Sequence, residues 1–221
     1  MRLAIISQYP TLWAQIISDL RDVTQPYRPN DLDGRSENML WQTLIGSWDE
    51  DGPISSSRLR QYLVKAIREQ KSWTTWTNPD TVRENELLDF ADQIICDRQV
   101  AEIVSRWHLE TAEATGYTIL ANKALQLTMP GVADVYQGSE VTQTSLVDPD
   151  NRRPVDFSAL SKMLSHLDTK GLDFSDASSL DQSKLYLTAA ILRLRRRLPD
   201  CFVSAYATYQ PLALSTGYAV A

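Results

Sequence analysis

Histidine and cysteine are nearly missing from this chain, with two of each in 221 residues. Each scarcity removes a class of chemistry. His108 and His166 form no zinc-ligand spacing. Neither lies beside a nucleophile motif and no GxSxG occurs, which excludes a Ser-His-Asp triad for practical purposes. Cys96 and Cys201 are too few and too far apart for a disulfide framework, and both are expected to be buried or partly buried thiols. Long apolar runs are also lacking. No stretch approaches the roughly 20 residues that cross a bilayer, and the opening MRLAIISQYP has no full signal-peptide core. A cytoplasmic protein away from membranes is therefore expected. Positive charge is in deficit, with 22 Lys and Arg against 28 Asp and Glu, a formal charge of -6 and a pI near 5.0. That balance argues against a nucleic-acid or anionic-membrane partner and favours a neutral or cationic ligand.

What is present suffices for a folded domain: 43% of residues are hydrophobic, ordinary for a globular core. The first half reads as helices. Pro10 suits a first helical position, and Leu12, Trp13, Ile16, Ile17 and Leu20 recur on one face. Pro26, Pro29 and the DLDG at 31–34 break the chain. A helix from Ser36 then carries Leu40, Trp41, Leu44, Ile45 and Trp48, and DEDGP at 49–53 ends it. Leu59, Tyr62, Leu63, Ala66 and Ile67 mark another helix from the serines at 55–57 to about Lys71. Asn78, Pro79 and Asp80 predict a helix start with Asn78 as cap. The next helix begins at Asp97, with Gly116 positioned to bend or interrupt it. Two more helices are predicted over 157–167 and 181–198, and the last twenty residues read as short strands.

Between these helices, residues 131–157 crowd polar and ionisable groups without helical or strand periodicity. After a short strand candidate at 132–136 come Gln137, Glu140, Asp148, Asp150, Asn151, Arg152, Arg153 and Asp156, broken by Gly138, Pro149 and Pro154. Prolines and glycines fix such a loop's path, so less entropy is lost when it holds a ligand. Carboxylates beside guanidinium groups can present oxygens to a polyhydroxylated ligand; they can equally pair among themselves in a surface turn. No two carboxylates can be singled out as acid and nucleophile by spacing alone. All six tryptophans lie in the first half of the chain. Trp41, Trp48 and Trp107 fall on apolar stripes and are expected in the core, whereas Trp73 and Trp76, in the loop WTTWTNP, could be core or stacking faces. The basic run 193–197 reads as a solvated helix face.

Four blocks in order, SENMLWQTLIGSWDEDG (36–52), RLRQYLVKAIREQKSWTTWTNP (58–79), LTMPGVADVYQGSE (127–140) and SLVDPDNRRPVDF (145–157), resemble malto-oligosyltrehalose synthase, an intramolecular glucosyl-transferring enzyme of the alpha-amylase superfamily. LRLRRRLPDCF (192–202) followed by YQPL (209–212) resembles that family's last helix entering a C-terminal β domain. The resemblance implies a mainly α fold with a few short β-strands, belonging to the C-terminal portion of a (β/α)8 barrel enzyme. Residues 1–127 would be a helical insertion, 128–200 the last barrel strand with its binding loop and closing helices, and 201–221 the start of the C-terminal β domain. It implies a substrate, a malto-oligosaccharide whose reducing-end α-1,4 linkage is rearranged to α,α-1,1, with no metal or organic cofactor.

Carried over by motif, Tyr136, Gln137, Glu140, Asp148, Asp150, Asn151 and Arg152 would line or brace the reducing-end sugar sites. Lys65 and Lys71 would be rim contacts. Asp148 and Asp150 would accept sugar hydroxyls, with Arg152 and Arg153 orienting them. At 141–144 the chain reads VTQT where the family carries an aromatic and a charged residue, which weakens any stacking contact there. The family's nucleophile, acid/base and third carboxylate precede the matched stretch. The chain alone is therefore expected to be inactive, to expose apolar surface, and to need the N-terminal part of the enzyme as its partner. The competing expectation is a non-catalytic helical module that binds a glycan or a partner chain.

Overall fold

The helical periodicities fold as helices in a computed structural model of the chain, which describes residues 2–49, 52–170, 179–205, 207–209, 212–213 and 219–220. Helix α1 (Pro10–Thr24) opens with Pro10 in its first turn and buries Ile16 and Leu20. The break that follows ends at Asp33, whose carboxylate accepts from the backbone N–H groups of Arg35 at 3.0 Å and Ser36 at 3.1 Å and so caps α2 (Gly34–Ser47). A reciprocal backbone pair, Asp49 with Gly52, closes the next turn.

Helix α3 (Ser56–Gln70) buries Leu59, Leu63 and Ile67 at one-turn spacing, as a stripe facing a core must. It stops at Lys71, which takes the left-handed conformation at φ 55°. Helix α4 (Thr81–Cys96) is capped by Asp80, which accepts from the Arg83 N–H at 3.2 Å. The expected cap Asn78 instead forms a turn with Thr75, because Asp80 is the residue whose carboxylate reaches the orphan N–H groups of the first turn.

Helix α5 (Arg98–Thr128) runs 31 residues without the interruption expected at Gly116. One glycine inside a helix costs only about 1 kcal/mol, less than the flanking turns supply. Helices α6 (Phe157–Lys170) and α7 (Leu180–Arg197) complete the helical set. Strands β1 (Leu212–Ala213) and β2 (Ala219–Val220) pair antiparallel, Leu212 opposite Val220. The remainder of the predicted terminal strand pattern lies outside the described residues. The architecture is thus mainly helical with very little strand. Residues 132–136, the strand candidate, form no strand, since among the described residues no strand lies beside them to pair with their backbone groups. Among the described residues no helix is long and apolar enough to cross a membrane.

The chain divides into two units, one of Arg2–Thr115 with Thr144–Arg153 and a second that includes Gly116–Gln143 and Pro154–Ala221. The first unit holds the main core, running from Ile5 through Leu40, Trp41, Leu63 and Phe90 to Trp107. Trp13 meets Trp107 edge-on at 5.4 Å and Trp41 meets Phe90 at 6.2 Å, geometries that suit aromatic quadrupoles. Trp41, Trp48 and Trp107 are buried as their stripes predict. Among the described residues of the second unit, Ile119, Leu127, Leu167, Leu185 and Ile191 are buried, and Lys123 and Lys184 are buried with them. Both cysteines are exposed rather than buried. Cys96 is the last residue of α4 and Cys201 sits in a short 3-10 turn after Pro199, and neither place supplies a packed face.

Candidate functional site

The polar loop is divided. Residues Thr144–Arg153 belong to the first unit, whereas Tyr136, Gln137 and Glu140 belong to the second. Within the first unit the loop is bolted to α3. Arg58 donates to both oxygens of Asp150, Nε at 2.7 Å and Nη2 at 2.8 Å, and to the Thr144 carbonyl at 3.3 Å. The Leu146 N–H completes the carboxylate's shell at 2.8 Å. Seven residues further along α3, on the same face, Lys65 Nζ donates to the Asp148 carbonyl at 2.5 Å. The Arg58 guanidinium, the largest influence, holds the Asp150 carboxyl below its ordinary range against the opposing effect of burial. Asp150 is therefore a committed anion and a brace for the loop.

Its neighbours are freer. Asp148 and Arg152 form an ion pair whose side chains are 45% and 70% exposed, so both remain open to a ligand. Asn151 lies between them in a short 3-10 turn, Asp150–Arg152, and its Oδ1 is buried without a hydrogen-bond partner. Arg153 donates to the Asp150 carbonyl at 3.2 Å and to Ser145 Oγ at 3.1 Å, tying the loop to itself. Lys71 stands apart as the exposed left-handed residue ending α3. The arrangement offers hydroxyl donors and acceptors on a rigid frame. Among the described residues no cluster of His, Cys, Asp and Glu is disposed to hold a metal ion.

In the second unit Tyr136 and Gln137 are exposed and open a tight turn in which the Ser139 N–H donates to the Tyr136 carbonyl at 3.0 Å. Gly138, the third residue of the turn, has φ 78°, as a turn of this kind requires. A Cβ there would lie 1.8 Å from Gln143 Nε2. Glu140 sits just beyond, one carboxylate oxygen buried without a hydrogen-bond partner. Its charge acts on two buried ammonium groups. Lys184 Nζ donates to the Val141 carbonyl at 2.6 Å, and Lys123 Nζ to Gln126 Oε1 at 3.1 Å and Ser139 Oγ at 3.4 Å. Burial, then repulsion from Lys123, lowers Lys184 to about 8; Asp181 and Glu140 oppose that shift. Glu140 thus works as a counter-charge in a lysine cluster that fixes residues 139–141.

Arg58, Lys123 and Lys184 were not visible as site residues in the sequence. Arg58 appears there as one more cation on a basic helix face, and its partner lies 92 residues away. The two lysines do carry a signal, since each interrupts an otherwise apolar helical stripe. The basic run on α7 also has defined partners in the second unit. Arg193 makes a two-pronged pair with Asp168 at 2.6 and 2.7 Å, and Arg195 donates to the carbonyls of Leu127 and Met129, capping the end of α5.

No family model matches the chain. Among curated proteins, a Mycobacterium tuberculosis protein assigned as a maltooligosyl trehalose synthase is 36% identical over 216 residues, which cover 96% of this chain and 25% of that protein. The chain is related to the maltooligosyl trehalose synthases. It spans about a quarter of the length of the relatives it matches, as a likeness to their C-terminal portion alone requires. The solved maltooligosyltrehalose synthase of Arthrobacter ramosus superposes with a TM-score of 0.76 at 35% identity, covering 93% of this chain and 25% of that one. A Sulfolobus tokodaii protein assigned to the same synthase gives 0.82 at 32% identity, covering 98% and 29%.

Proposed function

We propose that this chain is a substrate-binding part of a maltooligosyl trehalose synthase. The observation that carries this is the likeness over nearly its whole length, in sequence and in fold, to synthases of which it matches one quarter. In this reading the parent enzyme moves the reducing-end glucosyl unit of a malto-oligosaccharide from an α-1,4 to an α,α-1,1 linkage, in the service of trehalose synthesis. Retention of configuration at the anomeric carbon demands a carboxylate nucleophile and a carboxylic general acid a few ångströms apart. Those groups lie in the rest of the enzyme. Asp150 is braced by Arg58, which holds its carboxyl below the ordinary range, so it lacks the desolvated, isolated setting that would make it a proton donor at neutral pH.

The chain's contribution is recognition. Asp148 accepts a sugar hydroxyl and Arg152 donates to one, Asn151 offers its amide, and the loop is held in register by Arg58 on Asp150 and by Lys65 on the Asp148 carbonyl. In the second unit Tyr136 and Gln137 are the exposed contacts, and Glu140 braces them through Lys123 and Lys184. Lys71 is a rim cation. Residues 1–127 are the helical insertion, 128–200 the last barrel strand with its loop and closing helices, and 201–221 the entry to a β domain. Residues 132–136 would pair only once the other barrel strands are beside them, and their C-terminal end would then face the rim where barrel active sites are built. The exposure of Val132 and Tyr136 supports this.

Co-expression with the complementary three quarters of the Mycobacterium tuberculosis relative tests the proposal. Alone, the chain leaves the reducing ends of maltopentaose intact; together with its complement it consumes them, and Asp148→Ala lowers that turnover. A soluble, co-purifying pair with no turnover, or turnover by the isolated chain, sinks the reading.

A further inference from the structure

The first unit carries a second sugar-compatible surface that the proposed reaction does not use. The loop after α3 places Trp73 and Trp76 three residues apart, so their Cα atoms are within about 11 Å. Each indole is backed by a guanidinium: Arg83 lies 4.4 Å from the Trp73 ring and Arg68 lies 5.0 Å from the Trp76 ring. Those cations are themselves fixed. Arg68 grips both oxygens of Glu84 at 2.9 and 2.6 Å, while Arg83 reaches Asp33 at 3.3 Å and the Asp31 carbonyl at 3.1 Å. Thr74 is buried and ties the loop to Asp80 and Glu84. Trp76 nevertheless remains 55% exposed. Fixing a large indole so firmly and leaving it in water forgoes the burial that usually places tryptophan in a core.

Beside Trp73 lies a cleft of about 460 Å³ lined by Asp33, Gly34, Arg35, Ser72, Trp73 and Arg83. The cleft is shallow and open to solvent, so a ligand would lie along its wall rather than be enclosed. Gly34 leaves the cleft unobstructed, since a Cβ there would meet nothing within 4 Å. Asp33 and Arg83 are spent on each other, and Asp33 also on capping α2. Arg35 and Ser72 are exposed and able to donate. The lining therefore suits a neutral ring with one apolar face and hydroxyls at its edges.

We infer that this cleft and the Trp76 face bind a stretch of α-1,4-glucan away from its reducing end. Trp73 and Trp76 supply stacking surfaces and Arg35 and Ser72 the hydroxyl contacts. The inference rests on the proposed function for its choice of sugar and assigns it a second, separate binding surface.

Calorimetric titration of the whole chain with maltoheptaose, with cellohexaose as the control sugar, decides the matter. Maltoheptaose is expected to bind saturably and cellohexaose not. Trp76→Ala and Trp73→Ala should each weaken binding about tenfold, the loss expected for a well-seated aromatic contact, with Trp73→Phe recovering most of it. Arg35→Ala should weaken it less. Gln99→Ala, at an exposed position of α5 outside both surfaces, should leave this binding unchanged. Absence of saturable binding by a chain whose circular dichroism is helical overturns the inference, as do tryptophan variants that bind like the parent. Loss of binding in Asp148→Ala with neutral tryptophan variants removes the cleft and leaves the proposed function standing. Cleft binding together with an inactive co-expressed pair does the reverse.

Discussion

The two units bury their apolar residues to very different degrees. In the first, α1 to α4 and the front of α5 close a continuous core in which Leu40, Leu44, Leu59 and Leu63 are completely buried. Among the described residues of the second, few apolar side chains are buried and two lysines share the interior, while Tyr117, Val132, Phe157 and Val203 are more than half exposed. Nonpolar surface of that extent usually marks an interface. The first unit is organised around one continuous core, and the second, over its described residues, around a smaller one that includes two lysines. The same contrast runs through the polar loop, whose Asp150 end is secured by charge-assisted bonds to a helix and whose Tyr136 end rests on one glycine turn and a lysine cluster.

The sharpest way to break this comparison is to cut the two cores. Leu63→Ala should cost the first unit about 3 kcal/mol, within the span measured for fully buried leucines. Leu185→Ala should cost the second less, because a loosely packed site collapses more readily around the loss. Denaturant unfolding, with hydrogen exchange resolved by segment, gives both values. Equal losses would mean that the second unit has a closed core of its own.

The next test separates the two ends of the loop. Arg58→Ala leaves Asp150, with a side chain only 11% exposed, without its principal partner. A cost of about 2 kcal/mol is expected, at the level of an unsatisfied charged acceptor. Fast hydrogen exchange should appear at 144–153 and nowhere in the second unit. If exchange stays slow there, Lys65 and Arg153 suffice to hold the loop, and Arg58 is not its main anchor.

These particulars also show how far the sequence could be read. Helices α1 to α4 were legible because apolar residues recur at one-turn spacing, and the core tryptophans followed from the same pattern. The misplaced cap at Asn78 and the unbroken α5 at Gly116 are local choices of about 1 kcal/mol that tertiary packing overrides. The polar loop was legible as a concentration of ionisable groups, and its resemblance to a synthase identified the relatives. Its division between two units was not legible, nor was the attachment of Asp150 to Arg58. Partners far apart in one sequence leave no trace in its periodicity, and a cation on a basic helix face looks the same whether solvated or paired.

At the other end of the loop, Gly138→Ala asks a residue with a Cβ to hold φ 78° against the Gln143 side chain. The conformational part costs about 1–2 kcal/mol, and Gln143, being exposed, can swing away. The loss should appear in the second unit alone, read as faster exchange over 136–143. A substitution to Asn, which tolerates this backbone better, should recover part of it. An equal loss with both residues would point to crowding rather than to φ.

The smallest effect tests the lysine cluster, and its sign is fixed by the chemistry. Burial lowers Lys184 from its ordinary 10.5 to about 8 when folded. Between those values the unfolded chain holds a proton that the folded chain has released, so stability rises with pH. Lys123, lowered by burial and opposed by Glu140, contributes in the same direction. From pH 7.5 to 8.5 the Lys184 contribution should be about 0.7 kcal/mol, confined to the second unit. The neutral amine still donates to the Val141 carbonyl, so deprotonation relieves the buried charge without breaking the contact. Lys184→Met should flatten this slope while leaving the first unit's pH dependence intact. That dependence has another origin: His108, lowered to about 4 by burial and by Arg2, against the opposing hydrogen bond to the Ile45 backbone, withdraws stability as pH falls from 6.5 toward 4. Slopes of the same sign in separate pH windows, each removed by its own substitution, would establish that the units titrate independently; loss of both slopes with either residue would join them into one cooperative body.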